Sequence, residues 1–100
     1  MVRHIIARNF KDEFTNAENL ENAKKIKLML ESLKDKIGGI VEMKVHINLL
    51  QTSNRAIVLD SLFVDEDALK AYQIHPEHVK VVEFLQLTTT DKICLDYLEN

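Results

Sequence analysis

The chain has no tryptophan, one cysteine, one proline and two glycines in its 100 residues, and each scarcity closes off a class of protein. A lone Cys94 cannot form an internal disulfide, and with no second thiol there is no zinc pair or redox motif. It is most simply a strand residue. So few Gly and Pro leave little room for linkers or tails, and nearly all of the chain should be regular structure. No stretch approaches the roughly 20 apolar residues that a membrane span needs, and Met1 to Phe10 lacks the apolar run of a signal peptide. A cytoplasmic location is therefore expected. Positive charge is not in surplus either: 13 Lys and Arg against 16 Asp and Glu give a net charge of −3. That balance speaks against a nucleic-acid partner, whose binders carry a basic face, and against an anionic membrane, which needs a polybasic segment. Gly-rich phosphate loops are missing, so no cofactor is expected.

What is present is periodicity. Val2 to Phe10 alternates His4, Ile6, Arg8 and Phe10 with Arg3, Ile5, Ala7 and Asn9, as a strand does. Thr15-Asn16-Ala17-Glu18 has the form of a capping box, in which Thr15 and Glu18 satisfy each other's backbone donors. The helix it starts carries Leu20, Ala23, Ile26, Leu30, Leu33 and Ile37 on one face and ends at Gly38-Gly39. The period then changes to two, with Val41, Met43, Val45, Ile47 and Leu49 alternating with polar residues. Gln51 to Asn54 reads as a hairpin connection into a third strand, Ala56 to Phe63, apolar on both sides and so covered on both. Asp65 suits the N-cap of a helix over Glu66 to Gln73, and Pro76 opens a further short helix with Val79, Val82 and Leu85 in register. Ile93, Leu95 and Tyr97 alternate with Lys92, Cys94 and Asp96 as the last strand.

The order β-α-β-β-α-β makes residues 1–100 a single α+β domain of ferredoxin-like topology, a four-stranded antiparallel sheet with its helices on one face. The other face lacks a cover. A second copy would bury about 800 Å² per partner there, so two protomers closing into a dimeric α/β barrel is the expected assembly.

Particular residues then carry a resemblance. Val2-Arg3-His4-Ile5-Ile6 followed by Phe10-Lys11-Asp12-Glu13, the Leu69-Lys70-Ala71-Tyr72 turn, and above all His75-Pro76-Glu77-His78 resemble the stress-responsive A/B barrel domain. The likeness runs over essentially the whole chain. It implies a homodimer with a cavity between sheet and helices in each subunit, able to take a small-molecule ligand. It also implies a second activity class, because the family includes plant polyketide cyclases that close an aromatic ring by an aldol reaction without a cofactor.

In the cyclases a His and Tyr pair performs the acid-base work, and those positions fall on His78 and Tyr72, with the strand-one His on His4. The residue types suit it. An imidazole accepts a proton from an activated carbon near neutral pH, and a phenol donates to an oxygen gaining charge. Two departures separate this chain from the cyclases: Ile57 stands where they have a further His, and the first helix lacks their additional Tyr. Ile57 and Arg8 are ligand-binding candidates, Arg8 either holding an anion or pairing with a carboxylate at the barrel end. The residues alone leave a structural alternative open, in which the Tyr72 ring packs with its hydroxyl on water or backbone. His75 is expected to cap the helix that begins at Pro76, and His46 to be exposed. Four imidazoles raise the question of a metal, yet only His75 and His78 are close in sequence, and no metal is expected.

Overall fold

The computed structural model describes all of residues 1–100. Its elements run β1 (Val2–Phe10), α1 (Asn16–Glu31), a 3-10 turn (Ser32–Asp35), β2 (Ile40–His46), β3 (Ile57–Phe63), α2 (Glu66–Ile74), α3 (Pro76–Thr88) and β4 (Thr89–Leu98). The strands form one antiparallel sheet in the order β2-β3-β1-β4. This is the expected α+β, ferredoxin-like arrangement, with the second helical segment divided at Pro76.

Local chemistry explains the boundaries. The capping box forms as read: the Glu18 amide donates to Thr15 Oγ1 at 3.1 Å, and the Thr15 amide donates to Glu18 Oε1 at 2.9 Å. Asp65 caps α2 through the Ala68 amide at 2.8 Å, and His75 Nδ1 caps α3 by accepting from the Glu77 amide at 3.1 Å. Gly39 makes the return toward β2 at φ +88°, where a Cβ would lie 2.6 Å from the Ala68 Cβ. A side chain is excluded there twice, by backbone conformation and by space.

The helices bury Ile26, Leu30, Leu33, Leu69, Tyr72, Val81 and Leu85 against Val2, Ile6, Val45, Ile57, Leu59 and Phe63 of the sheet. Full burial of such an apolar side chain stabilises by about 1.5–3 kcal/mol. Three expectations shift. Leu20 is 49% exposed, so α1 turns its apolar face inward only from Ala23. The last helix is 13 residues long rather than short, and it buries Val81 while Val79 stays 43% exposed. The connection between β2 and β3 runs over residues 47–56, longer than a hairpin turn.

The two sheet edges differ. At the β2 edge, Lys27 Nζ donates to the Val45 carbonyl at 2.7 Å and the Val45 amide donates to Glu31 Oε2 at 2.9 Å. An ion pair on α1 thus saturates backbone groups that would otherwise invite another strand. Burial pushes the Glu31 carboxyl up, but Lys27 and the Val45 amide outweigh it and hold the group below its ordinary value. The β4 edge is open.

Register also fixes which residues share a face. Leu95 lies opposite Ile5, Ile93 opposite Ala7 and Tyr97 opposite Arg3, all on the side away from the helices. Ile93, Leu95 and Tyr97 are 41%, 56% and 49% exposed. On β4 the apolar residues therefore point outward, and Lys92, Cys94 and Asp96 share the helix side with His4 and Ile6. Leu62 of β3 also lies on the outward face, in line with a strand that is apolar on both sides.

Candidate functional site

Between the sheet and the helices lies a cavity of about 290 Å³. Its walls include His4, Ile6 and Arg8 from β1, Ile57 and Leu59 from β3, Tyr72 and Gln73 from α2, His78 and Val82 from α3, and Lys92 and Cys94 from β4. All five candidate residues, His4, Arg8, Ile57, Tyr72 and His78, line this one space. His46 and His75 do not; His46 is exposed, and His75 spends its Nδ1 on the helix cap.

Tyr72 is the most buried of the set. Its ring is held by Phe63, 4.9 Å away between centroids, and stacks on the His78 imidazole at 4.1 Å. Burial raises the phenol well above its ordinary pKa, against an opposing pull from Arg8, so the hydroxyl keeps its proton. That hydroxyl is buried and has no hydrogen-bond partner. The packing half of the structural alternative holds, and no backbone group reaches the hydroxyl. A buried hydroxyl left without any partner would cost about 1–3 kcal/mol, so a water or a ligand oxygen is the partner this position calls for.

His78 sits half-buried at the cavity mouth, with Nδ1 facing the Gln73 carbonyl at 3.3 Å. A carbonyl only accepts, so Nδ1 carries the proton and Nε2 is left as a base. Burial lowers its pKa, and the charges of Lys92 and Arg8 act in the same direction, keeping the ring neutral near pH 7.

His4 is 4% exposed, with its ring edge-on to Phe63 and Tyr72. Ser61, directly across the sheet, is small enough to leave the imidazole room, and its hydroxyl donates to the His4 carbonyl at 2.7 Å. The His4 Nδ1 pairs with Asp96 on β4. An Asp that fixes one ring nitrogen orients the other, here turning His4 into a held wall residue. Sequence reasoning missed Asp96, and its only signal was the alternation that puts it on a face with Cys94 and Lys92.

Arg8 is half-buried and contacts only Thr89 Oγ1, at 3.5 Å. No carboxylate pairs with it, contrary to that branch of the sequence reading; Asp91, across the sheet, accepts from Asn9 at 3.3 Å instead. Burial lowers the Arg8 pKa and only Tyr72 offsets this, though an arginine stays charged.

The donor atoms of His4, Cys94 and Asp96 lie within 4.8 Å of one another, a grouping that a sequence separation of 92 between His4 and Asp96 conceals. His4 Nδ1 could serve a metal there only by giving up its bond to Asp96. The Cys94 thiol donates to Asp96 Oδ2 at 3.5 Å, and burial together with the Asp96 charge pushes its pKa up, so it is a protonated, weak nucleophile. No helix is long and apolar enough to cross a membrane.

The sequence matches the stress responsive A/B barrel domain family over residues 2–99. Among solved structures, a dimeric protein of unknown function with a ferredoxin-like fold from Bacteroides fragilis is 32% identical, with a TM-score of 0.89 over 96% of this chain and 93% of that one. A dimeric ferredoxin-like protein of unknown function from Thermobifida fusca is 21% identical, with a TM-score of 0.81 over 96% and 88% of the two chains. The hydroxynitrile lyase from Passiflora edulis is 15% identical, with a TM-score of 0.81 over 99% and 93%. The last two share the fold and nothing more is read from them. No curated protein matches. A match along almost the full length, joined to the Bacteroides likeness, places the chain in the stress responsive A/B barrel domain family.

Proposed function

We propose that this protein works as a homodimer that binds a small oxygen-bearing molecule in the cavity of each subunit. The observation that carries the binding reading is the Tyr72 hydroxyl, buried in the cavity wall without a partner. A ligand oxygen accepting from it would supply the missing hydrogen bond, and the apolar walls would take the ligand's body. The homodimer is supported by the exposed apolar row Ile93, Leu95 and Tyr97 and by the dimeric relatives.

Tyr72→Phe tests the binding reading. It removes the hydroxyl at nearly constant shape, so affinity for the ligand should fall by about tenfold while the fold is kept. Unchanged affinity in the variant would remove the Tyr72 hydroxyl from the binding site.

A second reading, a cofactor-free cyclase-like lyase, is favoured by the neutral His78 beside a protonated Tyr72. His78 Nε2 would take a proton from the carbon beside a carbonyl, leaving the C–H electron pair as an enolate. Tyr72 would donate to the oxygen that receives the charge, the enolate carbon would add to a second carbonyl, and the oxygen of that carbonyl would take back the proton held by His78 as its π bond breaks. His4, fixed by Asp96, would shape the wall. The hydroxynitrile lyase relative is compatible with lyase chemistry on this fold, but at its identity it lends only the fold. His78→Gln separates the readings: ligand binding with no turnover in either protein supports the binder, and turnover lost in the variant supports the lyase.

A further inference from the structure

The cavity wall is charged in one sense only. Arg8 and Lys92 line it, and no Asp or Glu does. The register shows how they come together. Ala7 pairs with Ile93 and Asn9 with Thr90, so Arg8 alone faces the two residues Asp91 and Lys92 across a bulge. Asp91 takes φ +54° at that bulge, and its side chain accepts from Asn9 instead of Arg8. Arg8 and Lys92 thus stand on adjacent strands, both line the cavity, and both charges act on the His78 ring. Neither has a carboxylate within ion-pair distance, whereas Arg3 on the opposite face of the same strand has three, from Glu42, Asp60 and Glu99. The contrast is within one strand and three of one net sign against none.

We propose that Arg8 and Lys92 form an anion subsite, and that the cavity ligand is a small carboxylate with an apolar body. This deepens the cavity-binding reading and rests on it. The carboxylate sits between the guanidinium and the ammonium, and the planar fork of Arg8 matches its two oxygens. The body lies against Ile26, Leu30, Val45, Ile57 and Leu59, which form the apolar part of the wall. A second oxygen on the body accepts from Tyr72. An alcohol or amide of the same body would fill the walls equally well but leave both cations unpaired.

Isothermal titration of the full-length protein with octanoate, octanamide and octanol tests the head group without altering the fold. Octanoate should bind at least about tenfold more tightly than the other two. Arg8→Gln and Lys92→Gln should each remove most of that preference while leaving octanol affinity unchanged; Lys92 is exposed on its strand, so its variant keeps the fold even if Arg8→Gln does not. Equal binding of all three probes overturns the anion subsite and leaves the cavity reading standing. Tight octanoate binding that survives both substitutions overturns the assignment to Arg8 and Lys92. Failure of all three probes to bind overturns the cavity reading together with this one.

Discussion

The two faces of the sheet invert the usual arrangement along β4. The helix-covered face receives Lys92, Cys94 and Asp96 from that strand, while the uncovered face displays Ile93, Leu95 and Tyr97. On β3 the helix side is apolar in the ordinary way, with Ile57, Leu59 and Phe63 buried. A strand that turns polar residues inward needs something for them to do, and one that turns apolar residues outward needs a cover. The first need is met around the cavity: Asp96 holds the His4 that lines it, and Lys92 and Arg8 both stand in its wall. The second calls for a partner, and the same face of a second copy, paired about a two-fold axis, is the cover proposed above.

The largest break in that comparison is Leu95→Asp, which places a charge in the middle of the outward apolar row. It should convert the dimer to monomer at micromolar concentration in sedimentation velocity, and a variant that remains dimeric would move the interface off this face. Phe63→Ala is the matching change on the covered face. Its ring is fully buried within one chain, so the substitution should cost about 3–5 kcal/mol in urea unfolding, independent of protein concentration. A cost that grows on dilution would mean that the core is completed by the partner.

A smaller effect comes from His78. Burial holds its folded-state pKa below the ordinary 6.5, so the unfolded chain takes up this proton more readily than the folded one. Its contribution is complete above that value and is lost as pH falls through it toward the folded-state pKa. Urea midpoints at about pH 7.5 and about pH 5.5 should therefore differ more in the native protein than in His78→Gln. An equal difference in the two proteins would show that His78 is as solvated folded as unfolded.

Much of the fold was legible because its signals are local. The Thr15-to-Glu18 box, the Asp65 cap and the His75 cap depend on neighbours within four residues and formed as read, as did the strand alternations, except that β2 stops at His46, short of Ile47 and Leu49. The inner helix face was harder: Val79 and Val81 both fit an apolar stripe, and only the packing of α3 decided for Val81. Alternation on β4 separated two sets of residues but gave no sign of which set turned inward, and hydrophobicity alone points the wrong way. The same limit hid two residues of the candidate site. His4, Tyr72 and His78 were found by resemblance, whereas the Asp96 that holds His4 and the Lys92 that joins Arg8 come from the far end of the chain, and only strand register brings them in. The expected carboxylate for Arg8 failed for a related reason, since the bulge at Asp91 turns the nearest acid toward Asn9.

The claim on which the account turns is that the outward face of the sheet is covered by a second copy of the chain while the inward face keeps its cavity. Native mass spectrometry of the protein at micromolar concentration addresses it directly. The account predicts the mass of two chains, with an added small acidic component wherever the cavity retains its ligand. The mass of one chain would contradict it, because Ile93, Leu95 and Tyr97 would then stand in water with nothing to explain them.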